Sequence, residues 1–150
     1  MNIVIFGPPG AGKGTQSNFI VKKFELYQLS TGDLLRKEIK NNTDIGKKIS
    51  TIINQGNLVS DDIVGNLIEK YISDDNYKNR LIFDGYPRNL AQAKNLDLLL
   101  KKNDQKIDIV LKLTVSLKTI KERILERKNL ENRMDDDEQI ATKRFINYEN

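Results

Sequence analysis

The stretch GPPGAGKGT, Gly7 to Thr15, follows directly on Ile3-Val4-Ile5-Phe6, and this pair decides the fold. Four consecutive apolar residues describe a short strand buried on both faces, the kind found in a parallel sheet. Gly7, Gly12 and Lys13 satisfy the G-x-x-x-x-G-K core of a phosphate-binding loop. Its glycines let backbone N–H groups close around phosphate oxygens, and the N-terminus of the helix that follows adds a partial positive charge. Lys13 then reaches the outer phosphates.

Outward from the loop, strand-like and helix-like patterns alternate without an internal repeat or a low-complexity linker. Helix is predicted over 13–24, with Ile20 and Phe24 on one face. A second strand is predicted over 27–29. Ser30-Thr31-Gly32-Asp33 resembles a capping box that opens a helix toward Lys40. Another helix spans 43–55 and stops at Gly56. Ser60-Asp61-Asp62 makes an acidic start for a helix to Ile72, in which Ile63, Leu67 and Tyr71 recur at i, i+4 and i+8. Leu81-Ile82-Phe83 forms the third strand and ends at Asp84. A helix over 90–101, a strand over 107–115 and two charged helices over 117–128 and 136–148 complete the pattern. Such alternation implies an α/β fold, a P-loop NTPase-like parallel sheet of about four strands with helices on both faces. Ligands of these sheets bind at the carboxyl ends of the strands, where Gly7 and Asp84 both stand.

The 150-residue chain fits one domain. No apolar run approaches the roughly 18–20 residues that span a bilayer, so no membrane partner is expected. Without cysteine, disulfides and thiolate metal sites are excluded, and a cytoplasmic location is the expectation. Without histidine, the commonest general base and transition-metal ligand is missing too. Carboxylates, Lys, Arg, hydroxyls and backbone groups remain. Phosphoryl transfer suits that inventory, since it depends on positioning and charge stabilisation. The net charge of +4 fits a polyanionic small ligand and a solvated Lys-rich surface. No motif for binding RNA or DNA accompanies it, so no nucleic-acid partner is expected.

The loop departs from the usual pattern at one place. Gly14 follows Lys13 where a magnesium-binding Ser or Thr stands in GTPases and most motor ATPases, and the hydroxyl arrives one residue later at Thr15. A guanine-reading N-K-x-D is also missing. Those classes are disfavoured.

Four further stretches point elsewhere: STGDLLR (Ser30 to Arg36), GNLVSDDIV (Gly56 to Val64), DGYPRNLAQA (Asp84 to Ala93) and RMDDDEQIATKR (Arg133 to Arg144). Together with GPPGAGKGTQ, they resemble the adenylate kinase family of nucleoside monophosphate kinases, in the family's order and close to its spacing. The resemblance covers nearly the whole chain. It implies reversible transfer of the γ-phosphoryl group of ATP to AMP, giving two ADP, in purine nucleotide homeostasis.

By that resemblance, Gly10, Ala11, Gly12, Lys13, Gly14, Thr15, Arg123 and Arg127 bind ATP. The AMP side comprises Thr31, Gly32, Arg36, Asn57, Leu58, Val59, Gly85, Tyr86, Arg88, Gln92, Arg133 and Arg144. Lys13, Arg88, Arg123, Arg133 and Arg144 form the transfer machinery. Arg suits this work because its planar fork grips phosphate oxygens bidentately and keeps its charge. Asp84 is positioned like a Walker B carboxylate, to hold Mg²⁺ directly or through water. Thr31 and Gln92 match the adenine-specific members, whereas UMP/CMP-type members have Ala and Asn there. Gln92 carries donors and an acceptor suited to the edge of adenine.

The resemblance divides the single domain into a core of 1–29, 73–127 and 133–150, an AMP-binding part of 30–72 and a short lid loop of 128–132. Only KNLEN separates Arg127 from Arg133, the short-lid spacing, and without Cys or His no zinc is expected. A monomer is expected, with ATP, AMP and ADP as its small-molecule partners. The chain stops at RFINYEN, before the family's fifth strand and last helix. The expectation is a fragment or a shortened variant whose ATP binding is weakened more than its chemistry. A UMP/CMP-type kinase and a catalytically silent nucleotide-binding fragment stay open as alternatives.

Overall fold

The computed structural model describes residues 1–55, 57–131 and 138–149. The elements run β1 (Ile3–Phe6), α1 (Lys13–Phe24), β2 (Tyr27–Ser30), α2 (Thr31–Lys40), α3 (Asp44–Asn54), α4 (Asp61–Ile72), β3 (Leu81–Asp84), α5 (Leu90–Lys102), β4 (Ile109–Lys112), α6 (Leu117–Glu131) and α7 (Glu138–Glu149). A short 3₁₀ turn at Asp75–Tyr77, which carries no helix-length pattern, precedes β3.

The four strands form one parallel sheet in the order β2-β3-β1-β4. Strand pleat sends alternate residues to opposite faces. Val4, Leu81 and Phe83 therefore pack with Leu29, Ile49, Ile68, Ile72, Leu96 and Leu100 under α2 to α5. Ile3, Ile5 and Ile82 join Leu26 on the other face, with Ile20 and Val21 of α1 against them. Both faces are covered, which is why the central strands read as continuous apolar runs. Each fully buried aliphatic side chain contributes about 1.5–3 kcal/mol. The strand ends that carry the site thus stand on a buried apolar core.

The register brings those ends together. Ser30 and Ile5 both pair with Asp84, one from each side. Gly7 follows β1 at the same rim, so the loop, the capping segment of α2 and Asp84 share one edge of the sheet.

Several element details differ from the periodicity reading. Phe24 is 51% exposed rather than on the buried face of α1, because α1 ends there and the chain turns through Glu25 in the left-handed region. On α4 the buried positions are Val64, Gly65, Leu67, Ile68 and Ile72, so the stripe is centred one residue later than Ile63, Leu67 and Tyr71. Ile63 and Tyr71 are half-buried at its flank. β4 is shorter than 107–115, since its ladder is limited to the four residues of β1. It is an edge strand with Val110 59% exposed. α6 continues to Glu131, because ERILERKNLE contains no Gly or Pro to stop it. Residues 128–131 of the expected lid loop are accordingly helical backbone.

α2 and α3 meet in a close contact at Gly46. Thr43 caps α3 by accepting from the Gly46 N–H at 3.0 Å. There the helices approach so closely that a Cβ on Gly46 would lie 2.1 Å from the Glu38 carbonyl oxygen. Gly46→Ala is therefore expected to destabilise the fold by about 1–3 kcal/mol, the usual cost of overpacking, as measured by urea unfolding.

Candidate active site

The loop after β1 takes its path from two glycines. Gly10 and Gly12 sit at φ 79° and 91°, backbone conformations that L side chains rarely adopt. Gly10 is also pressed from behind, since an added Cβ would meet Ile120 and Ile124 of α6 at 3.2 Å. α6 thus braces the loop, and Arg123 of that helix lays its Nη1 against the carbonyls of Ala11 and Gly10, at 3.3 and 3.5 Å. Lys13 opens α1, and its Nζ donates to the carbonyls of Gly7 and Pro8 at 2.8 and 3.2 Å. The ammonium is held inside the loop it would share with a phosphate. Thr15 stands exposed in the first turn of α1.

The end of β3 is built for close approach. Asp84 is 8% exposed, and its Oδ2 accepts from Gln28 Nε2 at 2.9 Å. Burial raises its pKa above the usual 3.8, opposed by the neighbouring Lys13, the hydrogen bond from Gln28 and Arg88, while Asp33 adds to the rise. In the folded chain the protonated form is therefore favoured over its unfolded counterpart. That contribution is fully present below pH 3.8 and is lost as pH rises through the higher folded value. Asp84→Asn, neutral throughout, is expected to be more stable than the parent at neutral pH without divalent cations. The difference should close on acidification, as followed by urea unfolding in a chelating buffer.

Next to Asp84, Gly85 has φ 78°, and a Cβ there would meet Thr31 Oγ1 at 2.8 Å. Thr31 is buried and donates to the Gly85 carbonyl at 2.9 Å. Ser30 accepts from the Asp33 N–H at 3.3 Å, as the capping reading expects. The start of α2 is thereby pinned to the end of β3, which sets Arg36 one turn later beside the cleft.

Arg36, Arg88 and Arg144 converge although they come from α2, the β3–α5 turn and α7. Arg88 Nε donates to Gly85 O at 2.8 Å. Desolvation lowers the Arg88 pKa first, then the like charge of Arg144; Asp84 opposes and Arg36 lowers it further. As a residue Arg88 is exposed. Its guanidinium nevertheless feels the charges of Arg144, Asp84 and Arg36. Arg36 is paired with Asp33 and Arg144 Nη2 reaches the Ile53 carbonyl at 3.4 Å. Crowded cations of this kind favour a polyanion between them.

Lys13, Gly32, Arg36, Asn57, Leu58, Val59, Gly85, Arg88 and Arg144 line one cleft of about 360 Å³, between the phosphate loop and α2–α3. That volume falls within the range of small-molecule sites. Three other residues expected on the AMP side are buried and are not among those that line it. Tyr86 is buried in the core with its OH accepting from Asn95, while Thr31 and Gln92 are each 3% exposed. Arg127 falls on the helical backbone of α6, with its side chain outside the described residues. Arg133 lies outside them altogether.

Sequence reasoning missed Gln28, the partner of Asp84, and Lys143, whose Nζ donates to Asn57 Oδ1 at 2.7 Å. A polar residue inside a predicted strand was the one available signal for Gln28. Lys143 had none, because its partner is 86 residues away. Among the described residues no group of three or more His, Cys, Asp or Glu side chains is arranged to hold a metal ion. A hard cation that keeps its waters and takes phosphate oxygens requires only one or two carboxylates. Asp84, an oxygen donor beside the phosphate loop, fits Mg²⁺ on those terms. No described helix is long and apolar enough to cross a membrane.

The family model described as adenylate kinase matches residues 5–150. The chain is similar to the adenylate kinase of Pelagibacter ubique, with 50% identity over 131 residues, covering 87% of this chain and 62% of that protein. It is 42% identical to the adenylate kinase of Stenotrophomonas maltophilia and 38% identical to that of Thermobifida fusca. Each of these two alignments covers 99% of this chain, and 79% and 78% of the respective relative.

Proposed function

The chain belongs to the adenylate kinase family, and from that premise we propose that it catalyses reversible phosphoryl transfer from ATP to AMP, giving two ADP. The observation that carries this reading is the convergence of Lys13, Arg36, Arg88 and Arg144 on one cleft that opens onto a phosphate loop.

ATP takes the loop side. The N–H groups of Gly10 to Thr15 meet its phosphate oxygens, Lys13 meets the β- and γ-phosphates, and Arg123 and Arg127 add charge from α6. AMP takes the side of α2 and α3. Arg36 and Arg88 grip its phosphate, while Thr31, Gly32, Gly85, Tyr86, Gln92 and the backbone of Asn57 to Val59 surround its base and ribose. Residues 30–72 would close over AMP, excluding water.

An AMP phosphate oxygen attacks the γ-phosphorus in line as the bond to the β,γ-bridging oxygen breaks and ADP leaves. A phosphate monoester has its second pKa at about 6, so the nucleophile is already deprotonated at neutral pH and no general base is needed. That accounts for a site without histidine. Lys13, Arg88, Arg123, Arg133 and Arg144 stabilise charge on the transferring group. Asp84 would hold Mg²⁺ directly or through water, and the ion, when bound, neutralises charge on the β- and γ-oxygens.

The test is ADP formation from ATP and Mg²⁺ with AMP, beside parallel UMP and CMP reactions. Turnover with AMP and its loss in a chelator are expected. Turnover with UMP or CMP in preference would identify a UMP/CMP-type kinase. Tight binding of a bisubstrate analogue with no ADP formed would leave a silent nucleotide-binding module.

A further inference from the structure

Both ends of the Gln92 carboxamide are committed inside the protein. Its Oε1 accepts from the Arg88 backbone N–H at 2.7 Å, and its Nε2 donates to Asp61 Oδ1 at 2.6 Å. A backbone N–H only donates and a carboxylate only accepts, so neither neighbour can meet the carboxamide the other way round. Flipping Gln92 would set donor against donor and acceptor against acceptor at a residue only 3% exposed. Groups left unpaired under such burial are costly.

Asp61 is itself held in place. Its carboxylate oxygens also accept from Asn89 Nδ2 at 3.3 and 3.0 Å, and Asn89 Oδ1 caps α5 by accepting from the Gln92 N–H at 2.7 Å. Asp61 comes from the first turn of α4, whereas Asn89 and Gln92 belong to the start of α5. The AMP-side segment thus reaches across to set a side chain of the core.

We propose that Asp61 is a specificity-determining positioning residue: by fixing the sense of the Gln92 carboxamide, it selects 6-aminopurine monophosphates over 6-oxopurine ones. This rests on the reading that Gln92 meets the base of the monophosphate. After its two internal bonds, the carboxamide retains one N–H and one carbonyl lone pair. A 6-aminopurine offers an N–H at C6 and an acceptor at N1, which one sense of the carboxamide matches. A 6-oxopurine offers an acceptor at C6 and an N–H at N1, which only the flipped carboxamide matches. The backbone N–H of Arg88 and the carboxylate of Asp61 together forbid that flip.

Asp61→Asn tests this directly, because an Asn side chain both donates and accepts and so removes one of the two one-way neighbours. Steady-state rates are measured with AMP and with inosine monophosphate, against the parent and Asp61→Ala. The preference for AMP over inosine monophosphate in kcat/KM is expected to fall about tenfold in both variants, mainly through KM, the size of one lost hydrogen bond. Asp61 is exposed, so both variants retain the core. A parent-like ratio in both would overturn the proposal. Gln92→Leu separates the role of Gln92 from that of Asp61. If it leaves KM for AMP unchanged, Gln92 does not meet the base and both readings fall. If it raises KM for AMP while Asp61→Asn and Asp61→Ala keep the parent ratio, only the role of Asp61 falls.

Discussion

Lys13→Met is expected to lower kcat by about 10³-fold or more, the scale set by a single charge-stabilising group in phosphoryl transfer. Met retains the length and the apolar stem of Lys and discards the ammonium. In the structure that ammonium donates to two carbonyls of its own loop, Gly7 and Pro8. Nucleotide phosphate would draw it forward, and its charge matters most as the γ-phosphoryl group leaves one oxygen for another. The loop path depends on Gly10, Gly12 and the α6 contacts, so the variant should fold as the parent does. ADP formation and far-UV circular dichroism check the two halves of this expectation. A near-parental rate would remove Lys13 from the transfer machinery.

Arg88→Ala is expected to cost at least as much in rate, with KM for AMP raised as well. Its effect on stability should be small. The guanidinium is desolvated and faces the like charge of Arg144 and Arg36, against which stand Asp84 and one hydrogen bond to Gly85. Truncation relieves the repulsion while losing the bond, so unfolding free energy without nucleotide should stay within about 1 kcal/mol of the parent. A variant that is inactive yet undiminished in stability marks a residue kept for its ligand. Loss of rate together with a large loss of stability would instead make Arg88 structural.

Much of this was legible in linear order. The apolar run before GPPGAGKGT specified a strand buried on both faces, and the alternation after it specified a parallel sheet. Ser30 as the cap of α2, the acidic start of α4 and the stop of β3 at Asp84 all follow from local chemistry: a hydroxyl that accepts a first-turn N–H, a dipole that favours carboxylates, an apolar run that ends in charge. Local pattern yields to packing in three places. The face buried on α4 and the exposure of Phe24 depend on what lies opposite, and the length of β4 depends on its partner strand.

What the sequence alone determined, then, is the fold class, the phosphate loop, and through five ordered motifs the family and its candidate residues. Those signals are short in range, since loop glycines, caps and apolar runs act within a few residues. Only the tertiary structure decided which candidates line one cleft and which do not. Arg36, Arg88 and Arg144 meet because the register ties Ser30 to Asp84 and α7 reaches α3 at Ile53. Gln92 is turned by Asp61, 31 residues away. Hydrogen-bond sense and charge crowding are properties of atoms in contact, and contact across such distances exists only after the chain has packed.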